Sequence, residues 1–321
     1  MRKIGYFIAA MTACLAFSTA TLASGKAKSD KPLHFIVVPK VVHPWFDEVN
    51  KGAQEEAALL SEQLGRKVTV DFRAPTVGDV TEQNTVLSQS AATKPDGIAF
   101  DPVNWDSNKA VIEEIQAQGI PVIIFDAPSP KGSGLTAVGN DFAVQAAMAS
   151  DYLAKLLDGK GKVAIMQGIP TAENHRERYE AHVAALKKYP GIEIVAEGIG
   201  NDNIQEAQSQ AAGIIAANPD LAGFVCCDAA APIGIANAIK EAGKVGKIKL
   251  VGLENLPDML ELIKDGSMQA ASCTVPRVQG SMSVLMMWQA SLGVKIPAIV
   301  DTGIDFVTPE NVDEWIELMK E

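Results

Sequence analysis

Apolar positions along the chain alternate between two rhythms. The run Leu33-His34-Phe35-Ile36-Val37-Val38 is almost continuous, the pattern of a strand buried in a sheet. From Trp45 to Leu64 the apolar residues recur at helical spacing (Phe46, Val49, Ala53, Ala57, Leu60) and stop at Gly65, a helix-ending residue. A strand at 67–72 and a helix at 79–92 follow. Pro95-Asp96-Gly97 introduces a strand at 97–100. A helix at 107–118 stops at Gly119, and Pro121 opens the strand Val122-Ile123-Ile124-Phe125. Strand and helix alternate every 25–30 residues or so, which predicts a parallel sheet built from βαβ units.

Residues 127–138 are rich in Pro, Gly and Ser and read as a surface excursion or linker. Beyond them the rhythm resumes, with helices at 141–157, 173–188, 203–217, 230–242, 256–265 and 277–292. The matching strands fall at 162–166, 192–197, 222–226, 248–252 and 269–273. So many βα units on both sides of a break predict two α/β lobes. The length also admits a closed eight-stranded βα barrel, which the break near 127–134 argues against.

The N-terminus follows a different pattern. Basic Arg2-Lys3, an apolar stretch from Ile4 to Phe17 and small residues to Gly25 describe a cleavable secretory signal peptide over residues 1–23. That apolar stretch is short for a membrane span of about 20 residues. Cleavage after Ala23 removes two positive charges and takes the formal net charge from −11 to −13. With 28 basic residues against 39 acidic ones and no basic cluster in the mature chain, a nucleic-acid partner is excluded as an expectation. Cys14 leaves with the leader, so Cys226, Cys227 and Cys273 remain. An odd count is no disulfide framework. Buried free thiols are expected, with a disulfide from Cys226 or Cys227 to Cys273 as the alternative.

Familiar catalytic signatures are absent. Pro39-Lys40-Val41-Val42-His43-Pro44 stands where a glycine-rich dinucleotide loop would follow the first strand, and no phosphate-loop lysine or serine elbow occurs. His34, His43, His175 and His182 form no metal-ligand spacing, so neither metal nor cofactor is expected. His175 and His182, seven residues apart, read as one solvated helix face.

Ligands of open parallel sheets bind beyond the carboxyl ends of the strands. Those positions carry Lys40, His43, Trp45 and Phe46 after the first strand, then Asp101, Asp126, Asp228, Glu254 and Thr274 after later ones, with Arg178 on the helix after 162–166. Carboxylates and arginine form charge-assisted hydrogen bonds with hydroxyls, and aromatic faces cover the C–H patches of a sugar ring. The competing reading makes each carboxylate a cap on the next helix, and Trp45 and Phe46 core residues.

At these residues the chain resembles the periplasmic sugar-binding proteins of bacterial ABC importers, the ribose-binding-protein-like group. The resemblance rests on Pro39 to Phe46, Lys94-Pro95-Asp96-Gly97-Ile98, Gly119 to Asp126, Gln167-Gly168 with Arg176-Glu177-Arg178, and Val251-Gly252-Leu253-Glu254. It implies a type I periplasmic binding fold, two similar α/β/α lobes with parallel sheets joined by three crossovers. Residues 31–139 plus 275–303 would form one lobe, and 140–274 plus 304–321 the other. It also implies a monomeric, non-catalytic receptor that closes on a sugar or polyol and delivers it to a membrane permease. The family's aromatic pair falls on Trp45 and Phe46, its preceding polar residue on His43, and its acidic residue before an arginine on Asp126. Ala127 stands at that arginine's place, and Lys40 is the replacement cation. Its second arginine falls on Arg178, with Ala181 where glycine is usual, and the later polar residues fall on Asp228 and Glu254. The hinge glutamine is Thr274. These departures point away from ribose toward another pentose, a deoxy sugar or a polyol. An autoinducer-2 or chemotaxis receptor of the same fold is an alternative, although Asn174-His175 and Cys227 depart from the autoinducer pattern. A third is an exported carbohydrate enzyme using Asp126, Asp228 and Glu254 as acid and base.

Overall fold

The computed structural model describes residues 30–318. The leader expected at 1–23 lies outside them. The first half runs β1 (Leu33–Val38), α1 (Pro44–Leu64), β2 (Val68–Phe72), α2 (Val80–Ala92), β3 (Gly97–Phe100), α3 (Trp105–Ala117), β4 (Val122–Phe125) and β5 (Thr136–Gly139). It continues with α4 (Phe142–Leu156), β6 (Lys160–Gln167), α5 (Glu173–Leu186), β7 (Gly191–Ile199), α6 (Ile204–Ala217), β8 (Leu221–Cys226), α7 (Ala231–Glu241), β9 (Lys249–Leu253), α8 (Pro257–Lys264) and β10 (Ala270–Cys273). The chain ends in α9 (Pro276–Ser291), β11 (Ile299–Asp301), β12 (Asp305–Val307) and α10 (Val312–Leu318).

Two sheets result. One has the order β11-β5-β4-β3-β1-β2, parallel throughout; the other is β12-β10-β9-β8-β6-β7, parallel except for β12 against β10. Helices flank both sheets, the two-lobed α/β architecture expected from the alternating pattern rather than a closed barrel. Both faces of each sheet are covered, which is why β1, β3, β4 and β9 are almost wholly buried and read as unbroken apolar runs.

The chain crosses between the sheets three times: from β5 into α4, from β10 into α9, and from β11 into β12. The Pro/Gly-rich segment is not one of these crossings. It links β4 to β5 within the first sheet, and Ala127, Leu135 and Thr136 are buried. The change of lobe comes just afterwards, at Asn140-Asp141.

Local chemistry fixes the helix starts that face the cleft. His43 Nδ1 accepts from the Trp45 N–H (3.1 Å) and Pro44 occupies the first turn of α1; Gly65 ends that helix at φ 64°. Asp79, Asn104 and Asn203 cap α2, α3 and α6 in the same way. On the far side, α1 crosses α9 at Gly52 and Gly280. A Cβ at Gly52 would overlap the Arg277 carbonyl oxygen, and one at Gly280 that of Val49. Glycine is therefore what lets these two helices touch backbone to backbone.

Candidate functional site

The carboxyl ends of the two sheets face each other across a small cavity of about 20 Å³. From the first sheet come His43, Trp45 and Phe46 at the start of α1, and Asp126 after β4; from the second come His175 and Arg178 on α5, Asp202 after β7, Ala229 before α7, and Glu254 after β9. Six of the ten residues singled out in the sequence line the wall. Lys40, Asp228 and Thr274 lie behind it, in contact with those that do, and Asp101 lies behind Lys40.

Trp45 and Phe46 form an edge-to-face pair (centroids 5.0 Å apart), with Phe125 behind Phe46 at 6.3 Å. They are core residues and cavity wall at once, so their two readings coincide. The indole N–H of Trp45 donates to Thr274 Oγ1 (3.1 Å), whose hydroxyl donates to Glu254 Oε2 (2.7 Å). The Thr274 backbone N–H donates to the same oxygen at 2.9 Å. Burial pushes the Glu254 carboxyl up, opposed by Arg178 and these Thr274 donors.

Arg178 is the cation in the wall. Its Nε donates to Gln145 Oε1 (2.9 Å), Nη1 to the Cys227 carbonyl (3.3 Å), and its guanidinium stacks 4.8 Å from the Phe142 ring centre. Gln145 Nε2 in turn donates to the Ser272 carbonyl (3.1 Å) and reaches Glu254 Oε1 at 3.4 Å.

Lys40 does not reach the cavity wall. Its ammonium contacts Asp101 Oδ2 (2.5 Å), Asp126 Oδ2 (3.3 Å) and Asn174 Oδ1 (3.4 Å), one acceptor for each proton. Burial alone would lower its pKa, but the two carboxylates outweigh burial and raise it, holding the ammonium charged. The cation expected to replace the missing arginine thus braces Asp126 from behind. Asp228 is a helix cap, as the competing reading had it: Oδ1 accepts from Ala230 and Ala231 N–H at 2.8 and 2.9 Å. Burial first, and neighbouring Asp202 next, push its carboxyl well up.

Three buried polar atoms on the wall residues form no hydrogen bond within the protein: His43 Nε2, Asp202 Oδ1, and Asp126 Oδ1, which lies 3.8 Å from Arg178 Nη2. Because His43 Nδ1 accepts a hydrogen bond, Nε2 is the ring nitrogen that carries a proton, so the wall offers one donor beside two acceptors that form no hydrogen bond. Three of the wall carboxylates sit at left-handed backbone angles, Asp126 at φ 47°, Asp202 at φ 55° and Glu254 at φ 70°. Such backbone is uncommon outside glycine and persists where the surroundings enforce it, which ligand sites do.

The sequence reading missed Asp202, His175, Gln145 and Asn174 as parts of the site. Asp202 follows a strand end like the other carboxylates, so the same rule applied after β7 finds it. His175 and His182 are corrected: neither is solvated. His175 Nδ1 accepts from the Ile169 N–H (2.8 Å), and His182 is sealed between Ser150 Oγ (2.8 Å) and the Cys226 carbonyl (2.9 Å). Cys226, Cys227 and Cys273 are buried free thiols, without the alternative disulfide. Among the described residues no group of His, Cys, Asp and Glu is arranged to hold a metal ion, and no helix is long and apolar enough to cross a membrane.

The periplasmic binding protein domain model matches residues 35–295. The D-allose-binding periplasmic protein of Escherichia coli K12 is 26% identical over 270 residues, covering 81% of this chain and 85% of that protein. The xylitol-binding protein of Mycolicibacterium smegmatis is 25% identical over 240 residues, 74% of this chain and 68% of its own length. Among solved structures, an ABC transporter solute-binding protein from Burkholderia graminis in complex with D-arabinose superposes with a TM-score of 0.80 at 28% identity, covering 87% of this chain and 96% of that one. These relatives are substrate-binding proteins of transporters rather than enzymes.

Proposed function

The chain belongs to the periplasmic binding protein family, and from that premise we propose that it is exported, captures one small sugar or polyol in the cleft between its lobes, and delivers it to the permease of an ABC importer. The observation that carries this reading is the set of buried polar atoms on the cavity wall that form no hydrogen bond: His43 Nε2, Asp126 Oδ1 and Asp202 Oδ1. Each costs about 1–3 kcal/mol if left unsatisfied, and vicinal hydroxyls supply both the donors and the acceptor they need. Trp45 and Phe46 cover the apolar face of the ligand; Arg178 and Glu254 fix further hydroxyls. At about 20 Å³ the cavity is far smaller than ligand pockets, which run from about 300 to 1,000 Å³, so the lobes must part to admit a small ring or a short polyol. The absence of arginine after Asp126 and of glutamine at Thr274 favours a ligand other than ribose, in the range spanned by the allose-, xylitol- and arabinose-binding relatives.

Wall residues come from both sheets, so the ligand is contacted fully only when the lobes are together, and binding shifts the population toward the closed form. The lobes are residues 31–139 plus 275–303 and 140–274 plus 304–321, and the protein acts as a monomer in the periplasm. Isothermal titration against aldopentoses, aldohexoses, deoxy sugars and alditols tests this. The expected result is saturable heat for a narrow set at one ligand per chain, with the ligand recovered unchanged. Turnover of a glycoside, or saturation by none, contradicts it.

A further inference from the structure

One side chain ties the two halves of the site together without facing the ligand space. Asn174, the second residue of α5, is fully buried and absent from the cavity wall. Its Nδ2 donates to Asp126 Oδ2 at 3.0 Å, and its Oδ1 accepts from Lys40 Nζ at 3.4 Å. Lys40 follows β1 and Asp126 follows β4, both in the first sheet, whereas α5 packs on α4, β6 and β7 of the second. Both bonds therefore cross the cleft, and neither uses a ligand atom. Lys40, Asp101 and Asp126 already hold one another within the first half. Joining the halves adds Asn174 to them by hydrogen bonds, beside the longer contact of Arg178 Nη2 with Asp126 Oδ1 at 3.8 Å.

Its neighbours make the same crossing. Glu173 Oε1 accepts from the Trp105 N–H (3.2 Å), and Thr171 Oγ1 donates to the Val103 carbonyl (3.3 Å). Ile169 and Ala172 close a small apolar cluster with Val103 and Val80 from the opposite side. The loop into α5 thus grips the first half at the rim through Thr171 and Glu173, and in the interior through Asn174.

We propose that Asn174 is a positioning residue that latches the closed form independently of ligand and at the same time turns Asp126 so that Oδ1 is left for the ligand. The proposal rests on the reading that the lobes close over a hydroxylated ligand. Bonds present only in the closed form lower its free energy relative to the open one whether or not ligand is bound, so they raise the unliganded closed fraction and slow reopening. Their loss appears in the dissociation rate, because encounter takes place with the open form, where they are not made.

Two variants, Asn174→Ala and Thr171→Val, test this. Thr171→Val replaces an exposed side chain with one of the same shape, so it preserves the fold even if Asn174→Ala does not. Small-angle scattering of ligand-free protein is the first readout: Asn174→Ala is expected to have a larger radius of gyration than the wild type, and Thr171→Val a smaller increase. Stopped-flow binding of the ligand found by titration is the second. Asn174→Ala is expected to dissociate about a hundredfold faster with an unchanged association rate, as befits two lost hydrogen bonds to charged groups at about tenfold or more each. Superimposable scattering curves, or an unchanged dissociation rate, overturn the proposal. Should the wild type bind no sugar or polyol, the functional reading fails, while the ligand-free scattering still decides the latch.

Discussion

Arg178 shows how tightly single residues of the site depend on one another. Its guanidinium is committed to Gln145, the Cys227 carbonyl and the Phe142 ring, and it is the cation nearest Glu254 and Asp126 Oδ1, the latter 3.8 Å from Nη2. Arg178→Met is expected to weaken ligand binding by about 3 kcal/mol or more, over a hundredfold, since it removes charge-assisted donors from a buried site. Titration calorimetry measures the loss, and a folded circular dichroism spectrum separates it from unfolding. His182 supplies a prediction about stability. Burial lowers its pKa from 6.5 to about 4, and its partners fix the tautomer: Nε2–H donates to the Cys226 carbonyl while Nδ1 accepts from the Ser150 hydroxyl. A folded-state pKa below the unfolded value gives stability that is fully present above pH 6.5 and lost as pH falls through about 4. The loss amounts to about 3 kcal/mol. Urea unfolding between pH 7 and 4 is expected to show this slope, and His182→Gln to flatten it. At this scale the sequence disclosed which residue types stand at the strand ends, because chain position alone puts Asp126 or Glu254 there. It did not disclose that Lys40 points behind the wall or that His182 is sealed, since those outcomes depend on Asp101, Asn174, Ser150 and Cys226, which the fold brings from far along the chain.

Elements were the most legible level. Helices such as α1 and α6 and strands such as β1 and β8 begin and end within a residue or two of the expected positions, because each carries a strong apolar period and a cap or glycine at its end. The elements not anticipated are β5, β11, β12 and α10. The three strands have only three or four residues each, too few to show a period, and they owe their conformation to neighbours already in place: β5 to β4, β11 to β5, β12 to β10. The α1–α9 contact was likewise invisible, because a glycine inside a helix signals close approach only once its partner is known. Gly280→Ala is expected to destabilise the protein by about 3 kcal/mol, since the added methyl meets the Val49 carbonyl and the helices must separate. Chemical denaturation measures this, and a variant as stable as the wild type would show that the crossing can relax.

For the whole molecule, two sheets connected by three crossings make a cleft whose walls belong to different halves, so a molecule held there touches both. Alternating βα units foretold the two halves; the third crossing, from β11 into β12, lies in a stretch whose apolar pattern carries no such sign. Strained carboxylates, orphaned polar atoms and an aromatic pair converge on one cavity, and a hydroxylated small molecule is the ligand they fit together. The most direct measurement is a thermal-shift screen of residues 24–321 against pentoses, hexoses, deoxy sugars, alditols and autoinducer-2. A ligand at 100 times its dissociation constant adds about 2.7 kcal/mol of stability, a rise of several degrees in the midpoint. The account predicts such a rise for one or a few related sugars or polyols; an unchanged midpoint across the whole panel would contradict it.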